Sequence, residues 1–337
     1  MSRARVTIVD LARELGLSKT TVSDALQGRG QVAATTRERV REAADRLGYV
    51  QNRAARSLRT RTLGAIGLYV PPRVRSFAFY MEFAMGAVRG AAALDADLVL
   101  FARDQEHAPR PFAVDGAIVV DPLPDDPILR LMAEQRLPVV AAGRPLGDPL
   151  PQVDAVIEAP HARLLRAVLD DLRAAGRRRP ALLAWDRDFA SSWSSDVQAT
   201  YRAWCAEHDV DVRLQTLPVS SHPHELRAAV EALVTPEVDA LLCAPQSLAG
   251  RSRATLLRLG RDIGADLDLV SLVGDPTTEI GEPAITCVDV DPTAFGHEAA
   301  LLLGEVLAGR TGEAPVHREH AGRVRRSARL RAVLGDD

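Results

Sequence analysis

The sequence predicts a small all-α head followed by an α/β body whose doubly wound parallel sheets form two lobes. Three observations predict it. The first fifty residues carry short helical stripes with capping and glycine stop signals, and from residue 63 strand-like apolar runs alternate with helical ones. The third is charge: residues 1–62 hold 13 Lys+Arg against 6 Asp+Glu, net +7, which leaves −10 on the other 275 residues of a chain with net charge −3. A basic end on an acidic body is the asymmetry expected where one end meets phosphate.

Thr7 and Asp10 form a capping box that starts a helix near Ile8. Its inward face is Leu11, Ala12 and Leu15, and Gly16 supplies the left-handed residue that ends it. Ser18 caps the next helix, which turns Val22 and Leu26 inward and leaves Lys19, Thr20, Ser23 and Asp24 outward. A third stripe, Val40, Ala44 and Leu47, closes at Gly48. Three such helices with a tight turn between the first two make a helix-turn-helix, whose second helix enters the DNA major groove. Any small helical bundle is the alternative. The basic balance, with the single lysine Lys19 opening the second helix, favours the DNA reading.

These residues carry a resemblance. VTIVDLARELGLSKTTVSDALQG, TTRERVREAADRLGY and NRAARSL resemble the head of the lactose-repressor (LacI/GalR) family of bacterial transcription regulators, without a gap over about 55 residues. The resemblance implies base reading by Lys19, Thr20 and Asp24, phosphate contact near Thr7, Ser18, Ser23 and Thr36, and a hinge helix over Asn52 to Leu58. So short a hinge cannot hold a helix in water and should fold only when docked. Arg53 and Arg56 offer charge, Ala54 and Ala55 allow close approach, and Leu58 suits a wedge between base steps. Three positions depart from the pattern. Asp24 can only accept, as from a cytosine amino group; Gln51 stands where a proline is usual; Ala33 replaces a serine cap.

Beyond the linker Arg59-Thr60-Arg61-Thr62, strands are expected at 63–70, 97–102, 115–120, 138–143, PALLAW, 210–217, DALLCA, 268–273 and 284–288. Helices are expected at 78–93, 126–136, 160–175, 194–208, 222–234, 247–263 and 292–308. Such alternation means parallel sheets covered on both faces. The resemblance extends more weakly here and implies a periplasmic-binding-protein-like fold. The domains are then a head at 1–50, hinge and linker at 51–62, and a two-lobe body at 63–337. Its N-lobe takes 63–158 plus 289–320, and its C-lobe 160–288 plus 321–330. Between 102 and 115 a full helix is usual in the family, but RDQEHAPRPFAV is too short and proline-rich; its loss would rearrange the subunit interface.

Ligands of such sheets lie at the carboxyl ends of strands, here between the lobes. Phe77, Phe79, Tyr80, Arg103, Asp104, Arg144, Asp186, Arg187, Trp193, Gln246 and Asp275 occupy those ends. Relatives that bind sugars place paired polar groups at points where this chain has Val197, Pro245-Gln246-Ser247, Pro160-His161 and Gly274-Asp275-Pro276-Thr277. The effector is therefore expected to be other than a plain sugar, or the sensor to bind none.

No apolar run approaches the roughly 18 residues of a membrane span, and MSRARVTIVD lacks a signal-peptide core, so a cytoplasmic location is expected. Cys205, Cys243 and Cys287 read as buried thiols. The histidines of HPHE (222–225) and HREH (317–320) and the run Arg177-Arg178-Arg179 read as surface, without metal-ligand spacing. No catalytic constellation or phosphate loop is present, so an enzyme with an appended DNA-binding head is the weaker reading and no cofactor is expected. The partners expected are operator DNA, a second copy of the chain as a homodimer, and a small-molecule effector, with no membrane. The function read from this is a dimeric repressor whose operator affinity the effector tunes.

Overall fold

A computed structural model describes residues 6–27, 30–49, 62–75, 77–101, 110–123, 126–148, 150, 152–186, 189, 191–280, 285–312 and 315–335. The chain divides into two compact units, Met1–Gly64 and Ala65–Asp337.

The head holds α1 (Ile8–Leu15), α2 (Lys19–Gln27) and α3 (Ala34–Leu47). The capping box forms as expected: Thr7 N–H donates to the Asp10 carboxylate at 2.9 Å, while the Thr7 hydroxyl accepts from Asp10 N–H. Gly16 and Gly48 both take φ 65° and close α1 and α3. Leu11, Val22, Ala25 and Val40 are fully buried where the three helices meet, with Leu15, Leu26 and Leu47 packed around them.

The body holds two six-stranded sheets. The first runs β11-β5-β4-β3-β1-β2, built from β1 (Ala65–Tyr69), β2 (Asp97–Phe101), β3 (Ala117–Val120), β4 (Val139–Ala142), β5 (Ala155–Glu158) and β11 (Val316–Glu319), all parallel. The second runs β12-β10-β9-β8-β6-β7, from β6 (Pro180–Trp185), β7 (Leu214–Leu217), β8 (Ala240–Cys243), β9 (Asp268–Ser271), β10 (Thr286–Asp289) and β12 (Arg323–Arg325). Only β12 is antiparallel there. The chain passes between lobes after β5, after β10 and between β11 and β12.

Central strands are buried along their length, the mark of a sheet covered on both faces. The covering helices are α4 (Ala78–Ala93), α5 (Pro127–Glu134) and α11 (Pro292–Leu307) in the first lobe. The second lobe has α6 (His161–Ala174), α7 (Ser192–Glu207), α8 (Pro223–Leu233), α9 (Leu248–Arg258), α10 (Pro276–Ile280) and α12 (Ala328–Leu334). Helix α11 returns from the second sheet to lie against α4, and glycines set that approach. A Cβ on Gly86 would lie 1.9 Å from Thr293 O, and one on Gly296 1.9 Å from Phe83 O. No residue larger than glycine fits either point without parting the helices.

Several expectations need correction. Strands β5 and β11 were not expected; β5 is only four residues long and β11 is a largely polar edge, so neither gives a period-2 signal. The expected strand 210–217 shortens to Leu214–Leu217, and helix 247–263 to Leu248–Arg258. Arg177 is not on the surface: it is buried, its Nε 2.6 Å from Asp268. Nor is His320, 2% exposed and stacked 4.6 Å from Phe295. All three cysteines are buried and free. Between β2 and β3, residues 110–116 are irregular, and Phe112 and Val114 cover Phe101.

Candidate nucleic-acid interface and interlobe cleft

Helix α2 is held from beneath and open above. Ser18 Oγ accepts Thr21 N–H at 3.0 Å and caps it, and Val22 and Ala25 anchor one side in the head's core. Lys19 and Thr20 are exposed at its first turn, with Ser23 and Asp24 half-buried one turn on. Thr7, Ser18 and Thr36 sit at the N-terminal ends of α1, α2 and α3. There unpaired backbone N–H groups favour phosphate oxygens. Asn52, Arg53, Ala55 and Leu58 of the expected hinge lie outside the described residues.

The body's cleft opens between the carboxyl ends of the two sheets and encloses about 720 Å³, counting its open mouth. Its walls are aromatic. Phe77 from the first lobe faces Trp185 from the second at 5.9 Å between ring centroids. Phe189 meets Trp193 edge-on at 5.5 Å, and His161 stands 5.9 Å from Trp193. Phe79 and Tyr80, 5.3 Å apart, complete the first-lobe wall.

Polar contacts tie the lobes together across this cleft. Arg144 Nη2, after β4, lies 2.8 and 2.7 Å from the two carboxylate oxygens of Asp196 on α7. The Arg144 backbone N–H donates to Ser192 Oγ at 3.1 Å. Gln246, after β8, accepts Phe79 N–H at 3.1 Å through Oε1. Deeper in, Tyr80 OH donates to Asp121 Oδ2 at 2.7 Å. Burial pushes the Asp121 carboxyl up to about 6, with the Tyr80 bond opposing it. Burial likewise pushes His161 down to about 4, so it is neutral near pH 7.

Of the expected cleft residues, the structure brings Phe77, Phe79, Tyr80, Trp193 and Gln246 to the lining. Arg144 stands at the rim, spent on Asp196 and 3.7 Å from Glu158. Asp275 instead organises its own loop, accepting Ser247 N–H at 2.8 Å and Thr277 N–H at 2.7 Å. Asp186 is outside the lining. Arg103, Asp104 and Arg187 lie outside the described residues. Sequence reasoning missed Asp121, Glu158, Trp185, Phe189 and Asp196 as lining. Asp121 directly follows β3, so the strand-end rule that selected Arg144 also reaches it. Val197, where sugar-binding relatives are expected to carry arginine, is buried on α7.

The chain matches the model of bacterial regulatory proteins of the lacI family over residues 7–52 and that of a periplasmic binding protein-like domain over 169–328. It is 31% identical over 313 residues to the transcriptional regulator RafR of Escherichia coli, spanning 88% of each chain. The chain belongs to the LacI family. As a LacI-family protein it is a DNA-binding transcriptional regulator, not an enzyme. It is also 29% identical to the regulator CelR of Thermobifida fusca, over 92% of this chain and 94% of that one. The fold matches the lac repressor dimer bound to operator and the anti-inducer ONPF, TM-score 0.78 at 20% identity over 97% and 99% of the two chains. It matches a CelR–cellobiose complex at TM-score 0.67 and 23% identity, over 96% and 99%. Among the described residues of this regulator no helix is long and apolar enough to cross a membrane, and no three His, Cys, Asp or Glu side chains gather as a metal site.

Proposed function

We propose that this LacI-family regulator is a dimeric repressor that binds a pseudo-palindromic operator and changes its operator affinity when a small molecule enters the interlobe cleft. The carrying observation is the cleft itself, an aromatic cavity whose two walls belong to different lobes and are joined by Arg144–Asp196 and Phe79–Gln246. A ligand that bears on both walls has different affinity for open and closed arrangements, which is what shifts a two-state equilibrium.

In the head we assign base reading to Lys19, Thr20 and Asp24 and phosphate contact to Thr7, Ser18, Ser23 and Thr36. Asn52, Arg53, Ala55 and Leu58 are assigned to the minor-groove hinge. The division of labour follows 1–50, 51–62 and 63–337. A dimer is required because one helix-turn-helix reads too few bases for specificity. An apolar stripe on α4 suits it: Met81, Met85 and Val88 are 56, 49 and 43% exposed, and Leu100 on the adjacent edge strand is 54% exposed. Met85→Glu should yield monomers by sedimentation and weaken operator binding; a dimer of wild-type mass would exclude this face.

A second reading has its own support. The aromatic walls and lobe-bridging bonds already satisfy one another, as in a sensor that stays closed without a ligand. Two measurements on the full chain separate the readings: thermal unfolding against sugars, sugar phosphates, nucleosides and amines, and operator binding with any compound that stabilises it. At a hundredfold excess over Kd a specific ligand adds about 2.7 kcal/mol, readily seen. The CelR structure contains cellobiose, so neutral sugars belong in the panel despite the expectation of another ligand. Stabilisation that alters operator affinity supports an effector; stabilisation without that coupling, or none at all, supports the closed sensor.

A further inference from the structure

Asp121 is the one acid of the cleft wall with no basic partner among the described residues. It follows β3 in a left-handed conformation, φ 43°, which a side chain longer than hydrogen rarely adopts. Tyr80 donates to Oδ2 at 2.7 Å, and among the described residues no donor reaches Oδ1. That oxygen lies beside Gly143, where an added Cβ would sit 2.9 Å from it. The other acids are engaged, Asp196 by Arg144 at 2.7 Å and Glu158 by the same guanidinium at 3.7 Å. Gln246 Oε1 and Ser192 Oγ each already accept a hydrogen bond, from Phe79 N–H and Arg144 N–H, with the Gln246 amide N–H groups and the Ser192 hydroxyl still able to donate.

Resting on the reading of this cleft as the effector site, we infer that its ligand is a protonated amine carried on a ring, with the ammonium on Asp121 and the ring between the aromatic walls. Two features select that chemistry. A cation calls for a carboxylate without a basic partner, which Asp121 supplies among the described residues. Aromatic faces, in turn, attract a desolvated cation as well as a flat apolar surface. Charge agrees: Asp121, Glu158 and Asp196 face one guanidinium, with the His317 ring 3.7 Å from Glu158, and the half-buried His161 ring is neutral near pH 7. An ammonium on Asp121 would also compensate the carboxylate that burial disfavours. The ring can be aromatic or that of an amino sugar; the chemistry at Asp121 is the same.

Calorimetric titration of the full chain near neutral pH tests this with two matched pairs, benzylamine beside benzyl alcohol and glucosamine beside glucose, and with cellobiose. The amine of at least one pair should bind about tenfold or more tighter than its neutral partner, and the pair that responds identifies the ring. Asp121→Asn, checked for wild-type circular dichroism, should abolish that preference. In the wild type the amine should weaken as pH falls below about 6, where Asp121 takes up a proton, which reads the same carboxyl without a substitution. If glucose or cellobiose binds and neither amine does, the cationic class fails while the cleft stands as the effector site. If an amine binds equally well to Asp121→Asn, with no loss at low pH, the ligand sits elsewhere and both readings fail. Silence from all five compounds overturns the cationic class.

Discussion

Arg144 and Asp196, from opposite lobes, meet with one guanidinium nitrogen 2.8 and 2.7 Å from the two carboxylate oxygens. The pair holds the cleft together from its rim, and its neighbours Ser192 and Glu158 keep the arginine from turning away. Each side chain is 38% exposed, so solvent screens the pair and its worth is about 1 kcal/mol or less. A latch this weak can hold the lobes and still be released by a ligand. Arg144→Ala should therefore leave the fold intact but raise the radius of gyration by small-angle scattering. An unchanged scattering curve would mean that the aromatic contacts alone keep the cleft shut.

The glycine contact between α4 and α11 should be the least tolerant point of the first lobe. A Cβ on Gly86 lands 1.9 Å from a backbone carbonyl, which cannot swing aside as a side chain could. Gly86→Ala should cost about 1–3 kcal/mol or more by forcing the helices apart. The chemical denaturation midpoint reads it, and a midpoint equal to wild type would refute the close approach.

Helix α3 begins without a side-chain cap, because Ala33 offers no acceptor. Ala33→Ser should stabilise the head by about 0.5–2 kcal/mol. Thr7→Ala, which breaks the capping box of α1, should cost a similar amount. Hydrogen-exchange protection of α1 and α3 amides would record both signs; the idea fails if the serine lowers protection.

Two half-buried groups oppose each other in pH dependence. Asp121 holds its proton to about 6 in the fold but to 3.8 when unfolded, so it removes stability as pH rises through that window. His161 binds its proton only near 4 in the fold, against 6.5 when unfolded. It therefore removes stability as pH falls through its own window. Asp121→Asn leaves only the histidine effect, so its Tm should climb more steeply than that of wild type between about pH 4 and 6. Parallel curves would show that Asp121 titrates as an ordinary carboxylate.

In the head, Asp24 can accept from cytosine or adenine amino groups but repels acceptors. Asp24→Asn adds a donor and should shift the preferred base at one position of a randomised operator library. The same preference profile for both proteins would remove Asp24 from the reading set.

The sequence by itself determined most of the elements and their classes, but not strands β5 and β11. Caps at Thr7 and Ser18, stops at Gly16 and Gly48, and apolar runs such as PALLAW and DALLCA act through neighbours a few residues away, and each recurs in the structure. It also named the strand ends where Phe77, Phe79, Tyr80, Trp193 and Gln246 line the cleft. What the tertiary structure decided was partnership. Arg144 and Asp196 are 52 residues apart and Phe79 and Gln246 are 167 apart. Arg177 and His320 left the surface because Asp268 and the Glu298–Val290 pair were brought to them by other elements. Local patterns report which face of a helix or strand is apolar. Which polar group meets which is decided only when the sheets close on each other, because a hydrogen bond depends on positions within a few tenths of an ångström and on burial that no single segment creates.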